Sequence, residues 1–119
     1  MAAHVGGEVG TAGVKWIPSM PENPQKRGLP RACAIIILSD PHTGLPLAVM
    51  DCTVISAMRT GAAMGVAAKY LARKHSAVLG LVGAGVQNRT QLLAMSRVLP
   101  QLTEVRVFDL RPERAHLLR

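Results

Sequence analysis

The sequence is poor in aromatic residues, with one Trp, one Tyr and one Phe among 119 positions. This composition does not suit a module that stacks unpaired bases on interleaved rings. The core has to be built from Val, Ile, Leu, Met and Ala instead. Acidic residues are also scarce, seven against fourteen Lys and Arg, for a net charge of +7. Cysteine occurs twice, at Cys33 and Cys52, without paired-motif spacing, and nothing points to an oxidising compartment. Both thiols read most simply as buried small hydrophobes. Long hydrophobic runs are missing too. The longest strictly apolar stretch, Ala32 to Leu38, falls far short of a bilayer span. The first residues carry no basic stretch and apolar segment of a secretory signal. A cytoplasmic protein without a membrane partner is expected.

What is present is a 49% hydrophobic chain, apolar enough to fold and long enough for one ordinary domain. The charge is unevenly placed. Up to Met58 the four cations Lys15, Lys26, Arg27 and Arg31 balance Glu8, Glu22, Asp40 and Asp51, so the whole excess lies from Arg59 onward. A basic half can signal a polyanion, but these arginines are scattered singly and read as solvated helix faces. No nucleic-acid partner is expected. The four histidines His4, His42, His75 and His116 show no ligand spacing, so no metal site is assigned. No Ser/His/Asp or Cys/His set stands out, and no catalytic residue is assigned.

Along the chain, Gly13 to Ile17 reads as a short strand stopped by Pro18, followed by a Pro-rich loop to Pro30. Ala32–Leu38 reads as a central strand, Asp40–Gly44 as a turn, and Leu45–Met50 as a return strand that Pro46 places near a sheet edge. Together they predict a β-hairpin. Asp51 reads as a helix start, with Cys52 to Leu71 helical and crowded with Ala57, Gly61, Ala62, Ala63, Gly65, Ala67 and Ala68. Such small side chains let another backbone or a ligand come close. A buried parallel-type strand at 77–82, the turn Gly83-Ala84-Gly85, a helix at 87–99, a strand at 104–109 and a helix start at Pro112 then follow. This is a βαβ unit. The whole predicts an α/β fold whose second half resembles the opening third of a nucleotide-binding domain.

Two local patterns carry chemistry. Glycine at 83 and 85, between a strand and a helix, lets the backbone approach a pyrophosphate, whose charge meets the free N–H groups of the helix. Asp109, 24 residues beyond Gly85, is near the spacing of about 20 at which a carboxylate accepts from ribose hydroxyls. It disfavours a 2′-phosphate and so favours NAD over NADP, while Arg111 pulls the other way. Asn88 stands where the fingerprint has Gly or Ala. The alternative is a glycine turn serving close packing. The second pattern is Arg59, the one charged side chain between Cys52 and Ala68, set among Ala, Gly and Met. It needs either an internal carboxylate or a bound anion. Lys15, in a half-buried strand, poses the same choice, and a solvent-facing lysine is the simpler reading.

Several segments, in order, resemble the ornithine cyclodeaminase/μ-crystallin family. They are Gly13-Val-Lys-Trp-Ile-Pro-Ser, Gly28-Leu-Pro-Arg-Ala, Asp40-x-x-Thr-Gly44-x-Pro-Leu-Ala-x-Met-Asp51, Ile55-Ser-Ala-Met-Arg-Thr-Gly-Ala62 and Gly83-Ala-Gly-Val-Gln87. The resemblance implies that residues 1–51 belong to a substrate and dimerisation domain, 52–76 to a connecting helix and 77–119 to the start of a Rossmann domain. It implies that Lys15 and Arg59 contact the carboxylate of a small amino-acid substrate. It implies that Gly83, Gly85, Val86 and Gln87 hold the dinucleotide phosphates, Asp109 its ribose, and that Arg31 lies close to that pocket. Family members are longer, which makes this chain look like their middle section, without the catalytic aspartate. The implied activity is NAD-dependent conversion of L-ornithine to L-proline and ammonia by a homodimer. The alternatives are an amino-acid dehydrogenase or imine reductase, and a noncatalytic binding protein like μ-crystallin.

Overall fold

The computed structural model describes residues 2–118 as two compact units, 1–56 and 57–119 in their nominal bounds. The first unit is a four-stranded antiparallel sheet, in the order β1 (Ala2–Val5), β2 (Thr11–Trp16), β3 (Ile35–Ser39) and β4 (Pro46–Asp51). The predicted hairpin is its β3–β4 half, with Ile37 opposite Val49. Its turn is built by Asp40, whose Oδ1 accepts from the backbone N–H groups of His42 and Thr43, both at 2.8 Å. Gly44 supplies the left-handed conformation at φ 73°. Pro46 opens an edge strand, where a missing N–H costs no ladder bond.

The sheet exceeds the hairpin on its other side. Ala2–Val5 pairs with β2, Ala2 opposite Val14 and Val5 opposite Thr11. Ala-Ala-His-Val carries little strand propensity. It pairs because the glycine-rich turn reverses the chain, with Gly7 at φ 67° and Gly10 at φ 46°. Strand β3 starts later than expected, since Ala32 bridges Ser19 instead. The Pro-rich loop holds a four-residue helix, α1 (Asn23–Lys26). Ala34 and Cys52 are buried, and the Cys52 N–H donates to the Ala34 carbonyl at 2.8 Å. Cys33 corrects the sequence reading: it is exposed.

Helix α2 (Thr53–Leu71) crosses the division between the units. Asp51 helps start it, its Oδ1 accepting the Thr53 N–H at 3.0 Å and its Oδ2 the Thr53 hydroxyl at 2.9 Å. In the second unit, β5 (Val78–Val82) and β6 (Glu104–Phe108) pair in parallel through α3 (Val86–Val98), and α4 (Pro112–His116) follows. The expected βαβ unit is therefore present. Strand β5 is less buried than its apolar run suggested: Leu81 is buried but Val82 is 83% exposed. One neighbouring strand and its helix cover only part of its faces. Among the described residues no helix is long and apolar enough to cross a membrane.

The small residues of α2 have a visible purpose. Ala57, Gly61 and Gly65 form a buried stripe at helical spacing. A Cβ on Gly61 would lie 2.6 Å from the Thr90 carbonyl oxygen, and one on Gly65 3.1 Å from the Ala94 Cβ. The stripe lets α3 approach to backbone contact.

Candidate functional site

In the second unit the chain leaves β5 through Gly83, which lies at φ 92°. Its N–H donates to the Phe108 carbonyl at 2.6 Å, extending the β5–β6 pairing by one bond. Ala84 is buried, and its N–H donates to Asp109 Oδ2 at 2.7 Å. Asp109 Oδ1 accepts the Arg111 N–H at 2.9 Å. The Arg111 and Ala84 amides, in that order, hold the Asp109 carboxyl below the usual carboxylate range, and the positive charges of Arg114 and Arg111 add to this. Asp109 therefore stays ionised beside the glycine turn. Its two oxygens keep lone pairs beyond those the two amides use.

Gly85 is the N-cap residue of α3, in extended conformation, and no side chain caps the helix. The first N–H groups of such a helix have no intrahelical partner and attract an anion. A Cβ on Gly85 would meet nothing within 4 Å, so the space on that side of the turn is open. Val86 and Gln87, in the first helical turn, are exposed. The structure thus brings Gly83, Gly85, Val86, Gln87 and Asp109 together at one end of the parallel pair.

The other candidates lie on other elements. Lys15, on β2, is half-buried rather than turned to solvent, and its Nζ donates to Ser56 Oγ at 3.1 Å. Ser56 is 8% exposed. The solvent-facing reading of Lys15 fails because the ammonium has a buried hydroxyl to bond. Arg31 is exposed, with its Nε 3.4 Å from Ser19 Oγ. Arg59 is exposed on α2 and belongs to neither ion pair, Lys26–Glu22 nor Arg106–Glu104. Of its two possible partners, the internal carboxylate is absent among the described residues.

Sequence reasoning missed Ser56 as the partner of Lys15, since nothing in a single sequence links positions so far apart. It also noted Asn88 only as a departure. The structure gives Asn88 work: its Nδ2 donates to the carbonyls of Val82 at 2.9 Å and Gly83 at 2.6 Å.

A profile of the ornithine cyclodeaminase/mu-crystallin family matches residues 1–118. The chain belongs to this family. An alanine dehydrogenase from Archaeoglobus fulgidus is 51% identical over 115 residues, which are 97% of this chain and 34% of that protein. Among solved structures, the Thermococcus litoralis Δ1-pyrroline-2-carboxylate reductase in complex with NADH and L-proline superposes with a TM-score of 0.82 at 50% identity. That match covers 91% of this chain and 33% of the reductase. A lysine cyclodeaminase that recognises L-lysine, L-ornithine and L-2,4-diaminobutyric acid gives a TM-score of 0.89 at 38% identity, covering 99% of this chain and 33% of that one. The chain spans about a third of the length of each of these family members.

Proposed function

We propose that this chain belongs to an NAD-dependent enzyme acting on a small amino acid or its imine. The observation that carries the reading is the turn at Gly83–Gly85, open at Gly85 and closed onto Asp109 through the Ala84 N–H. This arrangement fits a dinucleotide: helix amides without a side-chain cap for the diphosphate, open space at Gly85, and an ionised carboxylate for the ribose. When bound, NAD supplies the hydride acceptor and donor. Gly83, Gly85, Val86 and Gln87 receive the phosphates and Asp109 binds the ribose, with Arg31 as a further cofactor contact. Lys15 offers an ammonium, and Arg59 a guanidinium, to the carboxylate of the substrate. In this reading residues 1–51 belong to the substrate and dimerisation domain, 52–76 to a connecting helix and 77–119 to the cofactor domain. The working protein is a cytoplasmic homodimer.

In the cyclodeaminase form of the reaction, L-ornithine loses a hydride from its α-carbon. The resulting imine is attacked by the side-chain amine, ammonia leaves, and the returned hydride gives L-proline. The second form is a dehydrogenase or imine reductase, in which the hydride is not returned within the turnover. The 51% identity to an alanine dehydrogenase and 50% to a pyrroline-carboxylate reductase favour that second form over the 38% to a lysine cyclodeaminase.

One pair of assays on the complete protein separates them. With NAD⁺ and L-ornithine, a cyclodeaminase releases ammonia without accumulating NADH. With NAD⁺ and L-alanine, a dehydrogenase releases ammonia and NADH in equal amounts. Protein that binds NADH but turns over neither substrate, and does not reduce Δ1-pyrroline-2-carboxylate with NADH, would support the binding-protein alternative, and failure to bind NADH would end the dinucleotide reading.

A further inference from the structure

The third glycine position of the dinucleotide fingerprint ordinarily takes Gly or Ala, so that helix and strand pack closely. Here it is Asn88, on the first turn of α3. The side chain is half-buried and turns back toward the strand instead of out to solvent. Its amide nitrogen has two N–H donors and faces two carbonyls, Val82 at 2.9 Å and Gly83 at 2.6 Å. These carbonyls flank the point where β5 ends and the left-handed Gly83 begins. Glycine is the residue with the most conformational freedom to lose there. A two-point bond from the helix to both sides of it removes that freedom.

We propose that Asn88 is a positioning residue for the dinucleotide, holding the phosphate turn in its binding shape before the ligand arrives. The inference rests on the dinucleotide reading above. The peptide between Gly83 and Ala84 carries both the Gly83 carbonyl, held by Asn88, and the Ala84 N–H, held by Asp109. One peptide plane is thus clamped from both of its polar ends, by the helix on one side and by the end of β6 on the other. Rotation of that plane would take the Gly83 carbonyl off Asn88, swing it toward the Asp109 carboxylate and take the Ala84 N–H off Asp109. A turn already fixed in shape spares the ligand the entropy of ordering it.

The test is NADH affinity, read by fluorescence titration of the complete protein well below its unfolding temperature, for wild type, Asn88→Ala and Asn88→Ser. Close packing alone predicts that Ala, the usual residue, binds NADH as tightly as Asn or more so. The clamp predicts that Asn88→Ala weakens NADH about tenfold, and that Asn88→Ser, which keeps one donor, loses less. Adenosine, which has no diphosphate, loses less affinity than NADH does in both variants. Undiminished NADH affinity in Asn88→Ala overturns the proposal, as does an equal loss for adenosine, which would mark a purely structural role. Should Asn88→Ala fail to fold, Asn88→Ser decides the matter by the same two readings. Wild-type protein that does not bind NADH overturns the dinucleotide reading and this inference with it.

Discussion

In residues 1–56 each strand folds back onto the one before it, and backbone ladders do most of the joining. In residues 57–119 a single parallel pair is joined through a helix, and the turn between them is held by side chains reaching backbone atoms. An antiparallel ladder forms from any sequence with tolerable strand residues and a turn of the right length. A phosphate-type turn needs named residues at named positions. The first unit holds its side-chain chemistry at the Asp40 turn and in the bond from Lys15 to Ser56. The second concentrates it in a few residues around Gly83 and where α2 meets α3.

That contrast is broken most severely by filling the contact between α2 and α3. Gly61→Ala sets a methyl group against the Thr90 backbone, 2.6 Å from its carbonyl oxygen, where nothing flexible can yield. The helix-propensity gain of Ala, about 1 kcal/mol, does not offset a backbone collision. A net loss of about 1–2 kcal/mol is expected, measured by denaturant unfolding. Gly65→Ala meets the Ala94 methyl at 3.1 Å, with the Ala94 carbonyl no nearer than 3.7 Å, and should come out close to neutral, because crowding and propensity oppose each other there.

A crossed pair of variants sharpens the division at the level of function. Lys15→Met removes the ammonium that bonds Ser56 and, in the proposed role, the substrate carboxylate. It is expected to raise KM for the amino acid about tenfold or more while leaving the NADH Kd unchanged. Asp109→Asn should do the reverse, weakening NADH about tenfold with little change in amino-acid KM. Steady-state kinetics and NADH titration on both proteins check this. Equal effects of both variants on both ligands would erase the distinction.

Much of this plan was legible in the sequence, and the legible parts share a cause. Gly44 and Gly83 permit a backbone conformation that few residues share, and Pro46 and Pro112 restrict theirs, so the turn, the edge strand, the phosphate-type turn and the last helix start were readable one by one. Features that depend on partners distant in sequence were not. Strand β1 forms on the edge that β2 offers to Ala-Ala-His-Val, and Cys33, next to the Ser19–Ala32 bridge, is exposed. The Lys15–Ser56 bond joins β2 to the start of α2. The stripe in α2 was legible as a place of close approach, but not the identity of its neighbour, α3.

The smallest expected effect concerns acid. Asp40 is held below the usual carboxylate range by the Thr43 and His42 N–H groups and the Thr43 hydroxyl, and Asp109 by the amides of Arg111 and Ala84. A carboxylate with a depressed pKa stabilises the fold above its unfolded pKa, and that contribution is lost as pH falls through the folded one. Thermal unfolding from pH 5 downward should therefore show falling stability beginning near pH 4. Asp40→Asn flattens the part of the profile belonging to the first unit, and Asp109→Asn that of the second. Identical profiles for wild type and both variants would show that these two turns carry no acid sensitivity.

The contact at Gly61 also bears on Arg59, two positions earlier on the same helix. With no side-chain layer between α2 and Thr90, the backbone beneath the guanidinium has no compressible padding to settle into. Its height above α3 is set by hard atomic radii, much as a shim sets the gap in a bearing. A methyl group at position 61 collides with the Thr90 backbone, whereas Ala62 and Ala63 beside it are exposed. A single hydrogen atom in place of a methyl group decides where a cation on the far side of the helix is presented.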